Sequence, residues 1–427
     1  MRSTRDPGAQ RVLRAFRERF GRAPEILVCA PGRIALLGAH IDYSEGWVMP
    51  AAIDRAIWLA ASPPPNSIAS PEAPAPGART RRLRLHALDV DAESHLDLDA
   101  LPPPVVERGE DLRDGDGDRW SDLPAGVAWV LEHTLEPSLG PAALPGLDVV
   151  FGGDLPRGAG VSSSAAVEVA FLLAWSTLVP RVAALERLEL ARLGQRVEND
   201  YLGVASGIMD QCASLLGRAD HLLFVDCRHL TVEHQPLGDV AVAVVDSGVR
   251  RRLAASGFND RRAQCTEAVA VLRRTVPGIR SLRDAFPDVL ELHAHHLPPV
   301  LRRRAQHAIG EMKRVHAARA ALAEHDLEDF GRHMRASHAS SRDLYEVSLP
   351  ELDVLAAGAW AHPACWGARL MGGGFGGCVA ALTRRGHAEP VADAMGDAFE
   401  DAFGHRPKRF VTSIADGAEI MLRPSGR

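Results

Sequence analysis

The stretch LPRGAGVSSSAAVEVA, residues 155–170, sets a proline, two spaced glycines and three consecutive serines ahead of an alanine-rich run with helical character. That order describes a loop feeding a helix N-terminus. Gly158 and Gly160 let the backbone approach a ligand closely. Ser162, Ser163 and Ser164 set hydroxyls beside the N–H groups that every helix leaves unpaired in its first turn. An anion, most naturally a phosphate, suits such a place. A plain N-capped helix after a glycine turn accounts for the same residues. One serine suffices to cap a helix, however, and three exceed that use. The Walker arrangement G-x-x-x-x-G-K-[ST] is absent.

Working outward, a chain of 427 residues is long for a single core and predicts two domains. A composition of 46% hydrophobic and 24% charged residues is that of a water-soluble globular protein. The formal net charge of −6 argues against a nucleic-acid partner, which would ask for a basic surplus, and favours a small-molecule one. Cys29, Cys212, Cys227, Cys265, Cys365 and Cys378 are scattered without a C-x-x-C pair, so they are expected to be reduced and mostly buried. Residues 1–20 are charged and amphipathic, without the apolar centre of a secretory signal. No apolar run is long enough to cross a bilayer. A cytoplasmic monomer is the expectation.

Apolar spacing predicts a helix over 10–20 and a strand at EILVCA (25–30). PGRIALLGAHIDYSEGWVMPAAID (31–54) follows as strand, turn and strand, its polar turn residues facing a cleft. Residues 62–77 and 102–118 are rich in Pro, Ala, Ser, Asp and Gly and are expected to be surface loops. Helices are expected over 125–136, from the serine loop to Trp175, and over 185–201, with a strand at 146–155. Strands at 221–227 and 240–247 bracket a division placed at 235/236, giving domains 1–235 and 236–427. Beyond it come helices over 260–276 and 303–322, the motif RLMGGGFGGCVAAL (369–382), a helix over 388–404 and a strand at 409–415.

Gly372, Gly374 and Gly377 match G-x-G-x-x-G, but the strand-like CVAAL follows where a dinucleotide fingerprint needs a helix. The motif is a tight turn or a glycine loop walling a cleft. Asp210 lies among apolar residues in GIMDQ (207–211), and Arg33 sits in a glycine-bounded turn. A partly buried Asp usually has an Arg partner, which makes this pair either a structural ion pair or a base beside a reacting hydroxyl. His40, Asp42 and Tyr43 crowd one turn and form either a hydrogen-bonding fan for a polyhydroxylated ligand or an Asx-type turn. Glu198 and Asp200, two apart on a helix, do not share a face, so at most one turns toward a metal. His293, His295 and His296 lack zinc-ligand spacing and are expected at the surface.

Together these stretches resemble the GHMP small-molecule kinases and, within them, the galactokinase-type sugar 1-kinases. PGRIALLGAHIDYSEGWVMPAAI is similar to their sugar signature, LPRGAGVSSSAA to their phosphate loop, ENDYLGVASGIMDQ to the segment bearing their catalytic aspartate and GARLMGGGFGGCV to their third motif. DSGVRRRLAASGFNDRRAQC and SHASSRDLYEVSLPELD are similar to further segments. The resemblance implies an α+β, two-domain fold: a ribosomal-S5-like N-terminal domain, a ferredoxin-like C-terminal domain and an active site between them. It implies ATP as donor, Mg2+, and a sugar's anomeric hydroxyl as acceptor. Asp210 is then the catalytic base or the group orienting that hydroxyl, with Arg33 beside it. Gly158, Gly160, Ser162, Ser163 and Ser164 hold phosphates, Ser164 and Glu198 hold magnesium, and His40, Asp42 and Gly207 contact the sugar.

Three positions depart from the family's pattern. Ala39 stands where galactokinases carry a sugar-facing glutamate, Ala35 where they carry asparagine, and Phe258 where they carry a tyrosine that reaches the sugar. A site built for galactose discriminates less well without those partners. A glutamate facing C6 would repel a C6 carboxylate by roughly 4 kcal/mol at ~4 Å and an effective dielectric of ~20. Ala39 removes that repulsion, and GAHID is similar to the galacturonokinase branch, so galacturonic acid is expected slightly ahead of galactose. The other readings are a galactokinase, in which a water fills the gap, and a non-catalytic sugar and ATP sensor. Ser164, Ala165, Ala166, Asp210 and Arg33 are all present, which argues against the sensor. A mevalonate- or homoserine-type kinase fits the HIDY turn less well.

Overall fold

A computed structural model describes residues 2–65, 81–108, 120–139, 144–156, 158–249 and 254–424. Most of both expected surface loops, at 66–77 and 109–118, lies outside the described residues. The first half runs α1 (Pro7–Phe20), β1 (Ile26–Leu37), β2 (Trp47–Ser62), β3 (Arg82–Ala87), β4 (Ala92–Asp97), α2 (Asp122–Leu139), β5 (Leu147–Gly153), α3 (Ser163–Ser176), α4 (Pro180–Ala183), α5 (Arg187–Arg196) and α6 (Met209–Leu216), then β6 (His221–Asp226) and β7 (Thr231–Pro236). The second half runs β8 (Val240–Asp246), α7 (Ala254–Arg273), α8 (Pro287–His293), α9 (Pro299–Ala323), α10 (Leu327–Asp343), α11 (Pro350–Ala361), β9 (Cys365–Leu370), β10 (Cys378–Arg384), α12 (Ala388–Phe403), β11 (Lys408–Thr412) and β12 (Glu419–Leu422).

Two sheets organise these elements. The first has the order β12-β1-β2-β5-β3-β4, with β6 and β7 branching from β2; the second has the order β11-β8-β10-β9. Every residue of β1 is buried, so the strand reads as a continuous apolar run rather than an alternation. One of its faces meets α1, through Ala9, Val12, Leu13 and Phe16. The other meets α3, buried at every position from Ala165 to Ser176, as a helix apolar all round must be. The second sheet is covered on one face by α11 and α12. On its other face Val242, Val244, Ala380 and Leu382 join residues of α9 and α10 in the same core as the first sheet.

Several elements differ from the sequence reading. α7 spans Ala254–Arg273 rather than 260–276, because 3-10-type bonds from Arg274 and Thr275 close its end. The helix expected over 185–201 is α5 to Arg196, after which the backbone widens into a π-helical turn, Val197–Leu202. The β3–β4 hairpin, β7, α10, α11 and β12 went unread. β12 pairs antiparallel with β1 (Val28↔Ile420), so the last strand of the chain completes the first sheet. All six cysteines are free thiols; five are buried and Cys227 is partly exposed. Among the described residues no helix is long and apolar enough to cross a membrane.

Candidate active site

Four connections converge between the two sheets: β1–β2, β5–α3, the π turn leading into α6, and β9–β10. The cleft they enclose has a volume of ≈ 160 Å3 and is lined in part by Arg33, Ala35, Ala39, His40, Asp42 and Glu198. Gly207, Asp210, Phe258, Arg369, Gly372 and Gly373 also line it, together with Val204, Ser206 and Met209. The β1–β2 register slips between Pro31, opposite Ala56, and Arg33, which stays in the ladder opposite Ala52 and lines the cleft. Gly32 is required beside it: a Cβ there would lie 2.4 Å from Leu155 Cδ2 and 2.7 Å from the Val161 carbonyl. Stripped of that Cβ, β1 lies against the serine loop, and the Arg33 N–H donates to the Val161 carbonyl at 3.0 Å.

Arg33 and Asp210 form a two-pronged pair, Nε to Oδ1 at 2.7 Å and Nη2 to Oδ2 at 2.9 Å. The fork fixes the carboxylate plane. The Arg33 side chain is 4% exposed and that of Asp210 is 25% exposed, so the carboxylate faces the cleft and the guanidinium stands behind it. Arg33 Nη1 also donates to the Gly160 carbonyl, and the Ser162 hydroxyl donates to Asp210 Oδ2. The phosphate-loop candidate and the aspartate are therefore one hydrogen-bonded unit.

Ser162 is the N-cap residue of α3 but lies in the left-handed region (φ 57°) and makes no side-chain cap. The plain-cap reading fails for that reason. The first helical bond of α3 runs from the Ala166 N–H to the Ser162 carbonyl, so the N–H groups of Ser163, Ser164 and Ala165 precede it. An uncapped N-terminus of a 14-residue helix is an anion site in waiting. The glycine connection closes over it: β9 and β10 flank residues 371–377 as the sequence suggested, and a Cβ on Gly372 would lie 3.2 Å from Gly160 Cα.

Glu198 comes from the π turn, a distortion common at functional sites. Burial and the charge of Asp210 push its carboxyl up to about 7, against the Ser206 hydroxyl that donates to it. No ion pair reaches it among the described residues. Asp200 points away to Arg196, at 2.8 Å. Ser164 stands one turn before Glu168 on the same face of α3. Glu168 is fully buried, takes Gln211 Nε2 at 3.0 Å and is itself pushed up by burial and by Glu198. A hydroxyl and an uncompensated carboxylate are hard oxygen donors of the kind magnesium takes, usually few in number beside phosphate and water.

At the other end of the cleft, His40 sits at φ 57°, a left-handed conformation that a loop holds only under constraint. Its Nδ1 meets the Tyr43 hydroxyl at 2.9 Å, and that hydroxyl meets Tyr345 at 2.6 Å. Phe258 packs on the His40 ring at 5.3 Å and edge-on to Tyr43 at 5.4 Å. Burial and neighbouring cationic and imidazole groups push His40 down to about 3. Burial and Asp210 push Asp42 up to about 6, against the backbone N–H groups of Tyr43 and Met209. The Asp42 carboxyl sits against Gly207, where a Cβ would lie 2.0 Å from its Cγ.

Two residues of this region escaped the sequence reading. Glu311, on α9, accepts the N–H groups of Gly38 at 3.0 Å and Ala39 at 3.2 Å and so holds the β1–β2 connection from the C-terminal half. Arg369, on β9, lines the cleft while only 1% exposed. A charge inside the apolar run GARLM was the one available signal for it.

This architecture defines a class of phosphotransferase, and comparison with known proteins agrees. The chain belongs to the GHMP kinases: the family models for their N-terminal domain and C-terminal region match residues 122–218 and 318–401, and a galactokinase galactose-binding signature matches 14–63. A galactokinase of Roseiflexus sp. (strain RS-1) is 41% identical over 95% of this chain and 96% of its own length. Human galactokinase is 36% identical over 99% of this chain and 100% of its own. A crystal structure of Lactococcus lactis galactokinase complexed with galactose superposes with a TM-score of 0.81 at 30% identity, covering 95% of this chain and 98% of that one. A mevalonate kinase, at 17% identity and a TM-score of 0.58, shares the fold alone. The chain is thus an ATP-dependent sugar kinase of the galactokinase type.

Proposed function

We propose that this kinase transfers the γ-phosphoryl group of ATP to the anomeric (C1) hydroxyl of a galactose-configured sugar, preferring galacturonic acid to galactose. The observation that carries the transfer is the Arg33–Asp210 fork, which faces a cleft lined by the His40–Asp42 turn and is hydrogen-bonded to the serine loop. Asp210 accepts the hydrogen bond of the C1 hydroxyl and receives its proton as the oxygen attacks phosphorus; the bond to the β-phosphate oxygen breaks and ADP leaves. Arg33 holds the carboxylate in the plane that this requires. Gly158, Gly160, Ser162, Ser163 and Ser164 cradle the phosphates, the serines through the uncapped start of α3.

Ser164 and Glu198 would hold Mg2+, which neutralises charge on the nucleotide's phosphates when bound. His40, Asp42 and Gly207 face the sugar ring, with Phe258 as an apolar wall and Ala39 as the gap at its C6 end. The division of the chain into 1–235 and 236–427 belongs to the same reading, with β12 carried over to the first part. The preference for an acid rests on Ala39, which supplies room and removes a repelling carboxylate.

ATP consumption with magnesium, measured against D-galactose, D-galacturonate, D-glucuronate, L-arabinose and N-acetylgalactosamine, tests both statements. Galacturonate should be turned over fastest, and Asp210→Asn should lose roughly 10²-fold or more in kcat. Faster turnover of galactose would overturn the acid preference. No turnover on any of these sugars, with ATP still bound, would overturn the transfer and favour a sensor.

A further inference from the structure

We propose that Arg369 is the receptor for the carboxylate of the acceptor sugar and thereby sets acceptor choice. The assignment rests on the uronic-acid reading above and names the group that would enforce it.

Arg369 is buried at the cleft wall with Nε and Nη1 lacking any hydrogen-bond partner, and no carboxylate lies within ion-pair distance among the described residues. A guanidinium in that state is costly, since burial removes water and nothing replaces it. The nearby carboxylate, Glu311, is committed elsewhere. Its Oε1 accepts from Gly38 N at 3.0 Å, Ala39 N at 3.2 Å and Ser337 Oγ at 2.5 Å, and its Oε2 accepts from Arg314 Nε at 2.6 Å.

The groups coupled to the Arg369 charge are Glu311, which holds the Ala39 N–H, His307, whose Nε2 meets the Ala39 carbonyl at 3.1 Å, His40, next in the chain, and the Arg314 and Arg33 guanidiniums. Arg369 and Ala39 line the same cleft, and Ala39 leaves open the position where the family carries a glutamate. Both histidines are pushed down, by burial first, to about 4 and about 3, and are neutral at physiological pH. Arg33, the other guanidinium of the cleft, is already matched by Asp210. The unmatched cation therefore shares the cleft with Ala39, the residue beside which the proposed function places the sugar's C6 substituent. A planar fork of donors is the natural complement of a carboxylate.

The experiment compares D-galacturonate with D-galacturonamide, its uncharged counterpart of equal size, and with D-galactose, on the unmodified chain and on Arg369→Met and Arg369→Lys. The acid should exceed the amide in kcat/KM by about tenfold or more, mostly through KM. Arg369→Met should lower the acid-to-galactose ratio by about tenfold or more, and Arg369→Lys should recover only part of it, because an ammonium presents no fork. A loss of packing alone would depress both sugars together and leave the ratio unchanged, which would overturn the assignment. If the variants fail to fold, the acid–amide comparison decides alone, and equal turnover of the two overturns it. Preference of the unmodified chain for galactose would overturn the acceptor reading itself, before any variant is made.

Discussion

A methyl group added at Gly207 would stand 2.0 Å from both Cγ and Oδ2 of Asp42, closer than atoms can approach. Gly207→Ala must therefore push the Asp42 carboxyl off its place in the cleft. A shift of about 1 Å can cost roughly 10²-fold in a positioned site. We expect the sugar KM to rise steeply while the ATP KM holds, as steady-state kinetics varying each substrate would show; equal effects on both would place Asp42 outside the sugar end. At this scale the sequence was most informative where residue types are rare in combination. The Asp in GIMDQ and His40 and Asp42 of the HIDY turn line the cleft, and the serine triplet adjoins it through the Ser162 hydroxyl on Asp210. Ser162 was read as a cap or phosphate donor, yet its hydroxyl is spent on Asp210. No local pattern shows that, because the partner is 48 residues away.

Elements carry the next layer of consequence, and α9 is the clearest case. Burial would raise the Glu311 carboxyl, but Arg314, Arg369, His307 and the Ser337 hydroxyl outweigh it and hold it down at about 2. A carboxyl depressed from an ordinary 4.5 contributes stability that is complete above that pH and drains as the pH falls toward 2. The contribution is on the order of 3 kcal/mol. Urea unfolding between pH 6 and pH 3 should therefore show a steeper acid loss in the unmodified protein than in Glu311→Gln, and the same slope in both would refute it. Glu311→Gln should also weaken sugar binding, since Gly38 and Ala39 lose a charged acceptor.

Glu311 was illegible in the sequence because a single acid in a charged 25-residue helix looks like solvent-facing decoration. β3 and β4 were missed for a related reason: RLRLHA and AESHLD alternate, but their outward residues are charged and mask the period. Continuous apolar strands such as β1 and β8, and capped or glycine-ended helices such as α1 and α12, were the easiest to read.

The molecule as a whole is closed by its last residues. Arg2 donates to the carbonyls of Asp416 at 3.1 Å and Gly417 at 3.2 Å, Ala418 N–H meets Ser214 at 2.7 Å, and β12 covers the edge of β1. Removing residues 416–427 would strip these bonds and expose an apolar strand edge. A loss on the order of 4 kcal/mol and concentration-dependent aggregation are expected. Thermal melts at two protein concentrations would check both, and an unchanged midpoint would contradict the role given to β12. The α+β plan was foreseeable from the resemblance of the motifs to the GHMP kinases. The return of the chain end was not, since pairing over such a separation leaves no trace in composition.

That return has a consequence for synthesis. β1 leaves the ribosome long before its neighbour β12, so at roughly 5–20 residues per second one side of β1 waits about 20–80 s for its partner. A circular permutant with the ends joined and the chain reopened between β2 and β3 would deliver the two strands together and shorten that exposed interval.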